Sequence, residues 1–257
     1  SSMPEADLYV IGNALSRGNQ CVEEILNKNL PYKSGPEMLG EIIKNRFVIA
    51  VSGTHGKTTT SFMIAKIFQS MGKDIGYLIG GMSPNFSFSA KIGTDEIFVI
   101  EADEYDSAFF DKRSKFIHYS PNILLINNIE FDHADIFNDL DAIKKQFHHL
   151  LKIMPSSGKI IFFNHDKNAL DVINKGCWSN SIEINGNSSI ASYDFSSATI
   201  AFDGKSSCMN DLPFYGSHNN LNAVGAIIST SLCGINLNDA LNGLKDFSGV
   251  LRRLEHK

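Results

Sequence analysis

The chain has 257 residues, 43% of them apolar, and a formal net charge of −5, enough for one large α/β domain or two smaller ones but a poor match to nucleic acid or an anionic membrane as partner. Cys21, Cys177, Cys208 and Cys233 form no C-x-x-C pair, which removes support for a zinc ribbon or a redox motif and fits free thiols in a reducing compartment. No apolar run approaches the ~20 residues of a membrane span, and the N-terminus lacks the basic and apolar regions of a secretory signal, so the expectation is a soluble cytoplasmic protein.

In chain order, residues 8–11 read as a short strand ending at Gly12-Asn13, and residues 20–27 and 37–45 as helices. Residues 47–51 are five apolar positions that open the main domain. They run into Gly53-Thr54-His55-Gly56-Lys57-Thr58-Thr59-Thr60 and then into residues 61–71, expected as an amphipathic helix with Gly72 at the C′ position. Strand, glycine loop and helix in that order place backbone N–H groups and a helix N-terminus around a phosphate. Lys57 adds a mobile positive charge, and Thr58 a hydroxyl suited to Mg²⁺. The common phosphate loop has four residues between its glycines; here two separate Gly53 from Gly56, so a tighter variant is expected.

Three more apolar runs follow the same plan. Residues 97–100 end at Glu101, 123–126 at Asn127-Asn128, and 160–163 at Asn164 and Asp166. Strands apolar on both faces belong to a buried parallel sheet, and ligands of such sheets bind at the carboxyl ends of strands. The four strand ends are therefore expected to converge near the loop. The expected fold class is α/β: a phosphate-loop-containing, mostly parallel sheet flanked by helices, with a small antiparallel β subregion over residues 181–214. Helices are expected over 219–233 and 237–247.

The polar strand ends carry the candidate chemistry. Glu101-Ala102-Asp103-Glu104-Tyr105-Asp106 reads either as a solvated acidic loop or as carboxylates beside a nucleotide-bound Mg²⁺, with Glu101 the foremost ligand candidate. The segment 127–135 holds His133; as a zinc site it is poor, and by spacing alone it is a phosphate- or metal-proximal cluster without an assigned role. Ser217 or Asn219 reads as a helix N-cap, while asparagines there also suit the edge of an adenine. Arg252-Arg253 is either solvated or placed to neutralise a phosphoryl group. His148, His149 and Trp178 read as structural, and Phe109, Phe110, Phe116 and Phe131 as core.

GTHGKTTT at 53–60, EADEYD at 101–106, NNIEFDHAD at 127–135 and GSHNNLNA at 216–223 occur in an order that resembles the Mur ligases, ATP-dependent amide-forming enzymes of peptidoglycan synthesis. The longer stretches 101–121 and 127–150, with 11–36, are similar to the branch that recycles a preformed murein tripeptide. The resemblance runs from about residue 8 to residue 255. It implies that residues 1–46 are the end of a UDP-sugar-binding domain plus a connector, that 47–257 form the central ATP-binding domain, and that a C-terminal domain is missing. It implies ATP and Mg²⁺ as cofactors, and UDP-N-acetylmuramate and the tripeptide as partners, with no nucleic acid or membrane. Carried over by motif, Gly53, Thr54, His55, Gly56, Lys57, Thr58 and Thr59 hold the phosphates. Thr58, Glu101 and His133 serve magnesium, His218, Asn219 and Asn222 flank the adenine, and Lys57 and Arg253 neutralise the transferred phosphoryl group. The implied activity is ligation through an acyl phosphate, with the fragment alone expected to be inactive. The alternatives are an L-alanine-adding ligase or a nucleotide-binding module without ligase activity. Oligomeric state is not legible.

Overall fold

The computed structural model describes residues 3–131, 137, 139–187, 190–214 and 216–251. In chain order the strands are β1 (Tyr9–Ile11), β2 (Tyr32–Ser34), β3 (Phe47–Ser52), β4 (Gly76–Leu78), β5 (Ala90–Lys91), β6 (Ile97–Glu101), β7 (Asp106–Ala108), β8 (Asp111–Ser114), β9 (Ile123–Ile126), β10 (Lys159–Phe163), β11 (Asn180–Ile184), β12 (Ala191–Asp194), β13 (Thr199–Phe202) and β14 (Lys205–Cys208). The helices are α1 (Gln20–Asn27), α2 (Gly35–Ile43), α3 (Lys57–Ser70), α4 (Leu140–Ile153), α5 (Lys167–Asn174), α6 (Ser217–Ser231) and α7 (Leu237–Leu244), with a 3₁₀ turn at Lys115–His118.

The main sheet has the order β14-β13-β12-β11-β10-β9-β3-β6-β4-β5 among the described residues. From β12 to β4 every neighbouring pair is parallel, and antiparallel strands finish both edges. β3 is the switch point. The chain leaves it toward β6 and β4 on one side, then returns to β9 and β10 on the other. Side chains alternate across the pleat. Ile49, Val51, Val99, Leu125 and Ile161 face a core shared with α3, α6 and α7. Val48, Ala50, Ile100, Leu124 and Ile160 face a second core shared with α4, α5 and the end of α2.

Two expectations change. The helix after the loop begins at Lys57, earlier than residue 61, and it is not amphipathic: eleven of its positions are buried, from Lys57 through Phe68. The sheet covers one side and α6 and α7 cover another, so it has no broad solvent face. The antiparallel subregion also begins later than expected. β11 extends the parallel sheet against β10 and pairs in parallel with β12, and only β12, β13 and β14 run antiparallel. Its Ile182 and Ile184 are buried, which is the environment of an interior strand. Phe116 lies in the core as expected, whereas Phe131, in the loop following β9, is half exposed.

Residues before β3 form a small unit. β1 and β2 pair in parallel, and Ile11, Val22 and Ile25 make its core, with Phe109 and Phe110 of the β7–β8 turn packed on it. α2 lies directly on the 3₁₀ turn: a Cβ added at Gly40 would sit 2.3 Å from the His118 carbonyl oxygen. Both sides of that contact are backbone, so relief requires α2 to move. Gly40→Ala is expected to lower stability by about 1–3 kcal/mol in urea unfolding. Gly35→Ala, where a Cβ meets nothing within 4 Å, is the control expected to be mild.

On α4, burial pushes the His148 and His149 imidazoles below their ordinary 6.5, and Lys152 adds repulsion to both. Below that value the unfolded chain takes up protons that the folded chain resists, so these groups make stability fall as pH drops below about 6.5. The check is the urea midpoint at pH 7.5 and pH 5.5, with the loss reduced in His148→Phe. Trp178, the sole tryptophan, stacks on His148 with ring centroids 5.9 Å apart, and its fluorescence is expected to report the same titration.

Candidate functional site

The site grows from the end of β3. Gly53 has φ +132° and Gly56 has φ +80°, values that side chains with a Cβ rarely adopt. Space is a second reason. A Cβ at Gly53 would lie 2.9 Å from the Asn128 carbonyl oxygen, and one at Gly56 would lie 2.4 Å from Asn222 Oδ1. With only two residues between its glycines, the loop turns tightly by lying directly on the chain that follows β9.

That chain grips it. The Thr54 and His55 amides donate to the Asn128 carbonyl (3.0 Å) and to Asn128 Oδ1 (2.8 Å). Thr54 Oγ1 donates to the Glu130 carbonyl (3.2 Å) and accepts from the Glu130 amide (2.9 Å). Asp166, the N-cap of α5, accepts from the Ile129 amide at 2.6 Å, and Asn168 Nδ2 donates to the Ile129 carbonyl at 2.7 Å. Asn127 joins three elements: its Nδ2 lies 3.3 Å from the His55 carbonyl, 3.0 Å from Thr60 Oγ1 on α3 and 3.4 Å from Asn222 Oδ1 on α6.

Helix capping separates the helices into two kinds. α1, α2, α4, α5 and α7 are capped by the side chains of Asn19, Ser34, Asp139, Asp166 and Asn236. α3 and α6 begin at Gly56 and Gly216 with no side-chain cap, so of the two readings left open for Ser217 and Asn219, N-capping is not the one that occurs. Orphan amides at a helix start are donors for an anion. Both starts border one cleft of about 750 Å³. His55, Gly56, Asn127, Asn128 and Glu130 form one side of it, Ser217, His218, Leu221 and Asn222 another, and Phe163, Asn164, His165, Asn185 and Phe195 the far wall. Asn127 Oδ1 is buried and accepts no hydrogen bond from the described residues.

The charged part of the site lies at the ends of β3 and β6. Lys57 Nζ donates to the Gly53 carbonyl at 2.6 Å and to Glu104 Oε2 at 3.1 Å. Its side chain is 10% exposed and that of Glu104 only 2%. Thr58 Oγ1 donates to Glu101 Oε1 at 2.9 Å, and the Gly80 amide donates to Glu101 Oε2 at 2.7 Å. A hydroxyl and a carboxylate held this close are the hard oxygen donors that suit Mg²⁺, so the residues present fit that ion in part. Among the described residues no cluster of three or more His, Cys, Asp or Glu side chains could hold a metal.

Of the residues marked by motif, the structure brings together Gly53, Thr54, His55, Gly56, Lys57, Thr58 and Glu101, and places His218 and Asn222 across the same cleft. Thr59 is buried in the first turn of α3. Asn219 is not among the residues lining the cleft. His133 and Arg253 lie outside the described residues. Of the far wall, Phe163 and Asn164 stand at a strand end that the sequence already marked, whereas His165, Asn185 and Phe195 were missed; for His165 that strand end was the available signal, and Asn185 and Phe195 had none. Sequence reading also gave Glu104 no particular role.

Strand order, the glycine loop and the two uncapped helix starts define a phosphate-loop α/β domain. Compared with known proteins, the chain matches the Mur ligase middle domain over residues 51–230. It belongs to the Mur ligase family. It is 47% identical to the UDP-N-acetylmuramate–L-alanyl-γ-D-glutamyl-meso-2,6-diaminoheptandioate ligase of Escherichia coli K12, over 98% of this chain and 56% of that protein. It is 31% identical to the UDP-N-acetylmuramate–L-alanine ligase of Clostridium kluyveri, with similar coverage. The crystal structure of the UDP-N-acetylmuramate:L-alanyl-γ-D-glutamyl-meso-diaminopimelate ligase from Neisseria meningitides superposes with a TM-score of 0.86 at 40% identity, over 96% of this chain and 80% of that one. The chain thus spans little more than half the length of the curated relatives it matches.

Replacing Asn127 by the similarly sized Leu removes a buried donor from the loop, α3 and α6 together. The expected loss is about 1–3 kcal/mol in urea unfolding. Asn127→Asp, which turns a second oxygen toward the His55 carbonyl and Asn222 Oδ1, is expected to cost more than Asn127→Leu.

Proposed function

We propose that the protein containing this chain is an ATP-dependent ligase that joins L-alanyl-γ-D-glutamyl-meso-diaminopimelate to UDP-N-acetylmuramate in the cytoplasm, in the recycling of cell-wall peptide. The observation that carries the reading is the buried Lys57 at an uncapped helix start, beside the Thr58–Glu101 pair. Support for the tripeptide over L-alanine is the 47% against 31% identity to the two kinds of relative. Residues 1–46 then belong to the domain that takes the UDP-sugar, and residues 47–257 to the ATP-binding domain.

In this reading the loop amides and the start of α3 bind the β- and γ-phosphates of ATP, and Lys57 compensates their charge. Thr58 and Glu101 would hold a first Mg²⁺ and His133 would serve a second; the ions would supply charge neutralisation on the phosphate oxygens. The nucleoside occupies the 750 Å³ cleft, between the loop and His218 and Asn222, with Asn219 in the same turn of α6. A carboxylate of UDP-N-acetylmuramate attacks the γ-phosphorus and ADP leaves. The amine of the tripeptide then attacks the acyl carbon of the resulting acyl phosphate, forming the amide and releasing phosphate. Arg253 neutralises the phosphoryl group in transfer. No protein nucleophile is required; the work is positioning and electrostatics.

The test supplies full-length protein with ATP, Mg²⁺, UDP-N-acetylmuramate and either the tripeptide or L-alanine. Ligated product, ADP and phosphate are expected with the tripeptide; product with L-alanine alone overturns the substrate assignment. Lys57→Ala is expected to reduce turnover by at least about 10²-fold, and near-normal turnover contradicts the role given to the loop.

A further inference from the structure

Glu101 and Glu104 stand at one strand end but serve different partners. Both oxygens of Glu101 are engaged, one by Thr58 Oγ1 and the other by the Gly80 amide. Glu104 instead faces the Lys57 ammonium at 3.1 Å, and the pair is almost wholly withdrawn from water. Lys57 also reaches back to the Gly53 carbonyl at 2.6 Å, so its charge is drawn down into the loop.

Glu104 stands on a firmly held turn. The Ala102 amide donates to the Val51 carbonyl at 2.8 Å, and the Lys115 amide to the Tyr105 carbonyl at 2.8 Å. Asp103, between them, accepts from the Tyr105 amide at 3.2 Å and from Lys115 Nζ at 2.9 Å. Lysine has a long flexible stem and three rotatable donors, while the glutamate sits on a fixed frame. When phosphate enters the loop, the lysine is the partner free to change position.

We propose that Glu104 is a positioning residue for nucleotide binding: it is the counter-ion that the phosphates must replace, and through Lys57 it sets the affinity of the loop for its nucleotide. Breaking a buried ion pair by removing one partner leaves the other charge uncompensated. Without the Glu104 carboxylate, the ammonium carries that penalty only while the loop is empty, and the phosphates relieve it. Loss of the carboxylate therefore weakens the empty protein and tightens its hold on the nucleotide, two effects of opposite sign from one substitution. A carboxylate that only braced the fold would lower both.

The inference rests on reading the loop as a nucleotide site, and titration calorimetry with Mg·ADP on the full-length protein separates the two. Glu104→Gln is expected to tighten ADP binding about tenfold and to lower the urea midpoint measured without nucleotide. In a Lys57→Met background, the same Glu104→Gln change is expected to alter ADP affinity by less than about twofold, since the group it acts through is gone. Unchanged or weaker ADP binding by Glu104→Gln, with the unsubstituted protein binding normally, overturns the proposal alone. So does full tightening that persists in the Lys57→Met background, which would mean direct repulsion between carboxylate and phosphate. If the unsubstituted protein binds no ADP, the nucleotide reading falls and this inference falls with it.

Discussion

A helix that is buried along most of its length yet starts with no capping side chain is the constraint around which the rest is arranged. α3 is enclosed by the sheet and by α6 and α7, and it presents Lys57 and its first amides at the carboxyl edge of β3. Orphan amides and a buried ammonium are costly inside a protein. The structure tolerates them because Glu104 and the Gly53 carbonyl hold the lysine, and because the helix start borders an open cleft. The same geometry suits it to an anion.

The surrounding features follow from that helix. Gly53 and Gly56 are required where the loop presses on Asn128 and Asn222, and Asn127 links the loop to both uncapped helices. Asp166 and Asn168 hold Ile129 from the next strand end. The carboxyl ends of β3, β9 and β10 therefore place polar residues around one cleft, and β6 places Glu101 on Thr58 in the first turn of α3, which is what the switch point of a parallel sheet makes available. The division between Glu101 with Thr58 and Glu104 with Lys57 gives the site two distinct electrostatic positions.

Some of this was legible from residues alone, and the reason differs by element. The runs at 47–51, 97–100, 123–126 and 160–163 match β3, β6, β9 and β10 within about a residue, because interior parallel strands are apolar on both faces and their polar ends are abrupt. The start of α3 was misplaced by four residues: three successive threonines resemble a loop, and only burial against the sheet and α6 explains their place in a helix. β4, β5 and the β7–β8 hairpin were not anticipated, since strands of two to four residues carry too little periodicity. α4 and α5 also went unassigned, although Asp139 and Asp166 stand as N-caps before them. Glu101 and Thr58 were each marked as oxygen donors for magnesium, but the hydrogen bond between them was not foreseen, and Glu104 was one of several neighbouring carboxylates.

By itself the sequence determined the strand at 47–51 with a glycine loop and a helix after it, the parallel core, the two-residue glycine spacing and the family to which they belong. All of these are local patterns, in which neighbours along the chain are also neighbours in space. Only the tertiary structure decided which carboxylate faces Lys57, that α3 and α6 share a cleft, that Asn127 joins them, and that Phe163, Asn164, His165, Asn185 and Phe195 close its far side. Those contacts are distant in the chain, 95 residues apart for Asn127 and Asn222, and they arise from the order in which strands pair, which no local pattern encodes.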